Sequence, residues 1–225
     1  HWSQASDRDV AALADHDLAA IVDFRTEIDR RGDGGEDRIP DGPDYLQLEM
    51  IDTGGNGAML RTTLMSGDQS LIEERFGGGR AEELAGRFVT DMALDPTKQQ
   101  IFSRFLQVIV DVAGRPVLWH CSAGKDRAGW AATILGMALG VPDDALVEHY
   151  LASNVHRPVE SRLAHYAARG IDAEVVRPFL MVHERFLRAG LAAVDAGWPT
   201  REAYLEHALG LDPADGERLR QLLID

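Results

Sequence analysis

The feature that most constrains this chain is a short apolar segment, Arg115-Pro-Val-Leu-Trp-His120, which runs through a glycine-containing loop into a stretch, Ala128 to Leu139, that is apolar nearly all round. Such a pair reads as a strand followed by a helix buried against a sheet. The connecting loop, Cys121-Ser-Ala-Gly-Lys-Asp-Arg127, has to reverse the chain in very little space. A turn of that kind aims successive backbone N–H groups at one point, and the helix behind it adds its positive end. The loop is therefore an anion cradle. Cys121 stands at its mouth, and a thiol beside a helix N-terminus and cationic groups ionises more readily than a free one. Arg127 lies six positions on, far enough to curl back and grip two phosphoryl oxygens with a planar guanidinium, while Lys125 adds a point charge.

The chain of 225 residues carries a formal net charge of -14, which argues against nucleic acid as a bulk electrostatic partner. An anionic substrate has to be attracted locally. No run of about 18 apolar residues suggests stable membrane insertion. A single cysteine excludes an intramolecular disulfide and leaves either a buried small side chain or a working thiol. His1 is not an initiator methionine, so a removed leader would not be seen, and cytoplasmic and secreted locations both stay open.

One domain, residues 1–225, is expected, of α/β class: a central, mostly parallel sheet of about four strands flanked by helices, with a helical C-terminal part over 175–225. Ser6 reads as the cap of a first helix, Leu18 to Phe24 as a buried strand, Arg30 to Pro43 as loop and Tyr45 to Met50 as another strand. Glycines interrupt residues 52–79, which suits short helices, and 52–95 could form a lid or an insertion. Asp95-Pro96 opens a helix that ends at Gly114. After the loop helix, further helices are predicted over 144–152, 178–189, 200–208 and 213–223. The acidic runs form no recognisable metal-ligand set.

The Cys-x5-Arg pattern preceded by histidine at a strand-to-helix turn resembles the protein tyrosine phosphatase superfamily. The fuller His120-Cys-x-x-Gly-Lys-Asp-Arg127 resembles its bacterial tyrosine/serine members of dual or triple specificity, which also accept phosphoinositides. Ile21-Val-Asp-Phe-Arg25 is similar to that group's Asp-Leu-Arg strand end, and Tyr150-Leu-Ala-Ser-Asn154 with Arg157 to a stretch after the loop helix. The resemblance implies a monomeric enzyme without cofactor or metal. Cys121 would attack phosphorus to give a phosphocysteine, which water hydrolyses. Arg127 and the amides of Ser122, Ala123, Gly124 and Lys125 would hold the phosphate or another oxyanion. His120, Asp23, Arg25 and Arg157 would border the pocket, although Asp23 and Arg25 could equally pair with each other. Partners would be a phosphorylated protein or a phosphoinositide.

The superfamily's usual acid triplet, Trp-Pro-Asp before the nucleophile, is missing, and Trp198-Pro199-Thr200 lies after it without an aspartate. The resemblance implies Asp126, inside the loop and next to Arg127, as the acid, with Asp23, Asp91 and Asp95 as fallbacks. Ala128 stands where the superfamily commonly places Ser or Thr, so slow breakdown of the phosphoenzyme is expected. Two other readings of the cradle stay open at this point: a rhodanese-like sulfurtransferase and a catalytically silent phospho-residue binder.

Overall fold

A computed structural model describes residues 1–51, 55–156 and 159–224. Three parallel strands, β1 (Ala20–Asp23), β2 (Asp44–Gln47) and β3 (Val117–His120), form a sheet in the order β2-β1-β3. In this register Asp23 lies opposite both Gln47 and His120. The carboxyl ends of β1 and β3 are thus side by side, at the edge where open α/β sheets bind ligands. Every residue of β1 is buried, as a central strand covered on both faces requires. About four strands are expected from the sequence; the described residues contain three, each of four residues.

Thirteen helices carry the rest of the described chain. The first six are α1 (Asp7–Ala14), α2 (Glu27–Asp33), α3 (Asn56–Ser66), α4 (Gln69–Phe76), α5 (Arg80–Leu94) and α6 (Pro96–Asp111). The loop helix is α7 (Arg127–Ala138), followed by α8 (Asp143–His156), α9 (Glu160–Ala167) and α10 (Ala173–Leu180). The C-terminal part is α11 (Glu184–Gly197), α12 (Arg201–His207) and α13 (Pro213–Leu223). Side-chain oxygens of Ser6, Asp95, Thr200 and Asp212 cap their helices as polar residues at such positions should.

Two expectations need correction. Residues from Arg30 are predicted as loop, yet α2 reaches Asp33, closed by a capping box between Thr26 and Asp29 and by Gly34 in the left-handed region at φ 106°. A helix so short and polar has no apolar period to betray it. A helix over 178–189 is also predicted, whereas Pro178 lies inside α10 and the chain is extended at Met181. The break is a tertiary effect: the Asn154 amide accepts from Val182 N–H at 2.9 Å and donates to Val182 O at 2.8 Å, holding that residue out of either helix.

The core has two parts. The larger packs the sheet, α5, α6, α7, α8 and α11 around fully buried Phe24, Phe102, Phe105 and Trp130. The smaller joins Ile72 and Phe76 of α4, Leu84 of α5, Leu163 of α9 and Val176 and Leu180 of α10. Helix α5 belongs to both, with Val89 in one and Phe88 against the other. No helix among the described residues is long and apolar enough to cross a membrane.

Candidate active site

The loop after β3 turns through Gly124, whose φ of 71° is the left-handed conformation that glycine adopts without strain. This turn brings Gly124 N–H to 3.3 Å from Cys121 Sγ, so the sulfur accepts a backbone hydrogen bond. Helical bonding then starts with Gly129 N–H to Lys125 O and Trp130 N–H to Asp126 O, which leaves the preceding loop amides outside the ladder. Cys121 is expected at the mouth of the cradle but is buried, 2% exposed, and neither it nor Gly124 is among the residues lining the cavity beside the loop. Ser122, Ala123, Lys125, Asp126 and Arg127 line a cavity of about 710 Å³, walled on its other side by Leu60, Leu64, Tyr166 and Phe179. Ser122 Oγ is buried without a hydrogen-bond partner among the described residues.

The charged groups of the loop each have a partner. Arg127 Nη1 donates to Asp29 Oδ2 at 2.7 Å and to Phe24 O at 3.0 Å. Burial opposes the charge on this guanidinium, but Cys121 and Asp29 outweigh it and the pKa is raised. The same Asp29 oxygen accepts Thr26 N–H at 3.1 Å, so the capping box of α2 aims the carboxylate at Arg127. Burial pushes the Asp29 pKa up, and Arg127 and Thr26 more than reverse this, holding it below the usual carboxylate range. Lys125 Nζ binds both Asp126 oxygens, at 2.9 and 2.7 Å.

Asp23, Arg25 and His120 lie in a separate, buried layer at the strand ends. Arg25 is fully buried and forks onto Asp23, with Nη2 at 2.9 Å from Oδ2, while the same nitrogen reaches Asp37 Oδ2 at 2.7 Å. The Tyr45 hydroxyl donates to Asp23 and Asp37 at 2.9 and 3.0 Å. His120 Nε2 stands 3.0 Å from Asp37 Oδ2, out of line for a good hydrogen bond, and Trp2 N–H donates to Asp37 Oδ1 at 2.7 Å. Asp23, Asp37 and His120 are close enough together to hold a cation, but the Arg25 guanidinium already fills that role. None of the three predicted residues lines the cavity.

Among the fallback acids, Asp95 caps α6 through Thr97 N–H at 2.8 Å and Asp91 lies on α5; neither lines the cavity. Arg157 falls outside the described residues. Sequence reasoning missed Asp29, Asp37 and Tyr45. Thr26-x-x-Asp29 is a readable cap signal, whereas nothing local marks Asp37 or Tyr45.

A model of the tyrosine phosphatase family matches residues 1–225, the whole chain. The chain belongs to that family. Among curated relatives, it is 28% identical to the triple specificity protein phosphatase PtpB of Mycobacterium tuberculosis over 246 aligned residues, covering 99% of this chain and 88% of the relative. It is 27% identical to a tyrosine-protein phosphatase of Nostoc commune over 220 residues, 92% of this chain and 68% of the relative. Over a shorter stretch of 103 residues it is 42% identical to a candidate tyrosine-protein phosphatase of Cupriavidus necator, where the match spans 45% of this chain and 38% of the relative. Family membership sets the sulfurtransferase reading aside. The chain is a tyrosine phosphatase family protein with phosphate monoesters as its substrate class.

Proposed function

We propose that this phosphatase works through a phosphocysteine on Cys121 and accepts phosphotyrosine, with phosphoserine, phosphothreonine and phosphoinositides as further substrates. The observation that carries the mechanism is the Gly124 N–H bond to Cys121 Sγ in a loop whose last residue, Arg127, opens the helix behind it. A sulfur with an amide on one side and a guanidinium nearby is a nucleophile facing an anion site. Sγ attacks phosphorus, the ester oxygen departs with the proton of Asp126, and water then displaces the cysteine, releasing inorganic phosphate.

Two ion pairs have to exchange for this chemistry to proceed. Arg127 leaves Asp29 for the equatorial oxygens, a trade of one anion for another with the guanidinium never unpaired. Lys125 is drawn from Asp126 toward the arriving phosphate, which frees the carboxyl group to take up and deliver a proton. Asp23, Arg25 and His120 position the loop from beneath without touching substrate. The broad substrate range rests on the likeness to the triple specificity relative and on Lys125, a buried lysine lining the cavity that adds a point charge to the loop.

The test is a panel of a phosphotyrosine peptide, a phosphoserine peptide, a soluble phosphoinositide and an aryl phosphate. Cys121→Ser should lower turnover of all of them by at least about 10³-fold, with vanadate inhibiting the parent. Asp126→Asn should lower aryl phosphate turnover by about 10²-fold and flatten one limb of the pH profile. An unchanged profile would remove Asp126 from the mechanism, and activity on the phosphotyrosine peptide alone would remove the broad range.

A further inference from the structure

A second cavity, of about 650 Å³, shares Asp29, Asp126 and Arg127 with the first but not Ser122, Ala123 or Lys125. Its walls are largely apolar, formed by Ile28, Met50, Ile51, Phe88 and Met92. Four carboxylates border it, and each already has a cation: Glu27 pairs with Arg31, Asp29 with Arg127, Glu49 with Arg30 and Asp126 with Lys125. Lys98 also lines this cavity and is different. Its side chain is 9% exposed, and the closest carboxylate oxygen, Asp95 Oδ2, is 3.9 Å away, beyond hydrogen-bond reach. The other Asp95 oxygen is occupied as the cap of α6. No group among the described residues hydrogen-bonds the Lys98 ammonium.

The long i,i+3 contact with Asp95 is the one local feature among the described residues that favours a lysine here. Position 98 lies in the first turn of α6, where the helix dipole favours an acidic side chain and disfavours a cation. Burial of an ammonium without a hydrogen-bonded anion adds a further cost. An anion entering the cavity would relieve both.

We propose that Lys98 is an anion subsite: it receives a second negative group of a substrate whose apolar body fills the cavity, while the scissile phosphate lies in the cradle at Arg127. The subsite rests on the phosphatase reading, because Arg127 and Asp126 of the loop are among the residues that line both cavities. The favoured substrate class is thus an amphipathic phosphate monoester with a carboxylate or second phosphate at the far end of an apolar linker.

The experiment compares three aryl phosphates on the full chain: phenyl phosphate, 4′-carboxybiphenyl-4-yl phosphate and the neutral carboxamide of the latter. The parent should show a KM about tenfold lower for the carboxylate than for the carboxamide, in line with one charge-assisted bond. Lys98→Met should bring that ratio to about one, and Lys98→Arg should preserve it. Lys98→Gln carries the same expectation as Lys98→Met and keeps the test alive should the apolar variant not fold. Equal KM values in the parent, or a preference that survives removal of the charge, would overturn the subsite. Failure to release phosphate from phenyl phosphate would instead overturn the proposed mechanism.

Discussion

Asp37 Oδ2 lies 2.7 Å from Arg25 Nη2 and 3.0 Å from both the Tyr45 hydroxyl and His120 Nε2, with its side chain fully buried. Burial pushes its pKa up, but His120, the Trp2 N–H and Arg25 outweigh it, so the folded value lies well below the ordinary carboxylate range. A depressed folded pKa contributes stability that is whole above the unfolded value of about 3.9 and shrinks as pH falls toward the folded one. Denaturant titrations from pH 7 to pH 3 should therefore show stability declining at the acid end. Asp37→Asn should cost roughly 3 kcal/mol at neutral pH, by leaving Arg25 with less compensation, and should flatten part of that decline. A variant with the parent's acid slope would mean that other carboxylates govern it. On the proposed phosphocysteine route, Ala128, 7% exposed at the start of α7, would offer no hydroxyl to the thiolate as it leaves phosphorus. Stopped-flow assays should show a burst of leaving group before a slower steady state, and Ala128→Ser should raise the steady rate while shrinking the burst. A linear trace from time zero would count against this.

Helices hold the cradle in place through unusually close approaches. A Cβ at Gly190 of α11 would come within 2.8 Å of Trp130 Cζ3 on α7 and of Val89 Cγ1 on α5, so the three helices meet at a point that only glycine fits. Gly190→Ala gains helix propensity of about 1 kcal/mol but overpacks the contact. We expect the clash to prevail, with net destabilisation of about 1 to 2 kcal/mol visible as a lower Tm; a stabilised variant would show that α11 can shift away freely. The same closeness appears at Gly129, where a Cβ would meet Tyr150 Cδ2 at 3.0 Å and press α8 away from the first turn of the loop helix. Helix α2 reaches Arg127 through Asp29 Oδ2, which both closes the capping box and holds the guanidinium.

Across the whole molecule, α5 ties the small helical cluster to the main core, and the two parts should open independently. Phe76, 1% exposed and edge-on to Phe179 at 5.3 Å, anchors the smaller one. Phe76→Ala should speed amide exchange in α3, α4, α9 and α10 while the sheet and α7 keep their protection, because the lost packing of about 3 to 5 kcal/mol lies in one cluster. Uniform acceleration would show a single cooperative unit. This division was not legible in the sequence: residues 69–85 and 159–180 are far apart along the chain, and their apolar residues recur at helical spacing without naming a partner. The strand, the loop and the buried helix from Arg115 to Leu139 were legible, because glycine, cysteine and arginine at these spacings before an apolar run leave few conformations open. So were the caps at Ser6 and Asp95, whose hydrogen bonds reach only two or three residues. Asp23 and Arg25 could be read as neighbours, but their burial beneath the cradle beside Asp37 and Tyr45 could not. Asp29 on Arg127, Asn154 on Val182 and Lys98 beside the second cavity were decided by tertiary structure alone. The cradle is a local property of backbone direction and residue type, whereas the partner of a charge depends on which distant segments packing brings within about 3 Å of it.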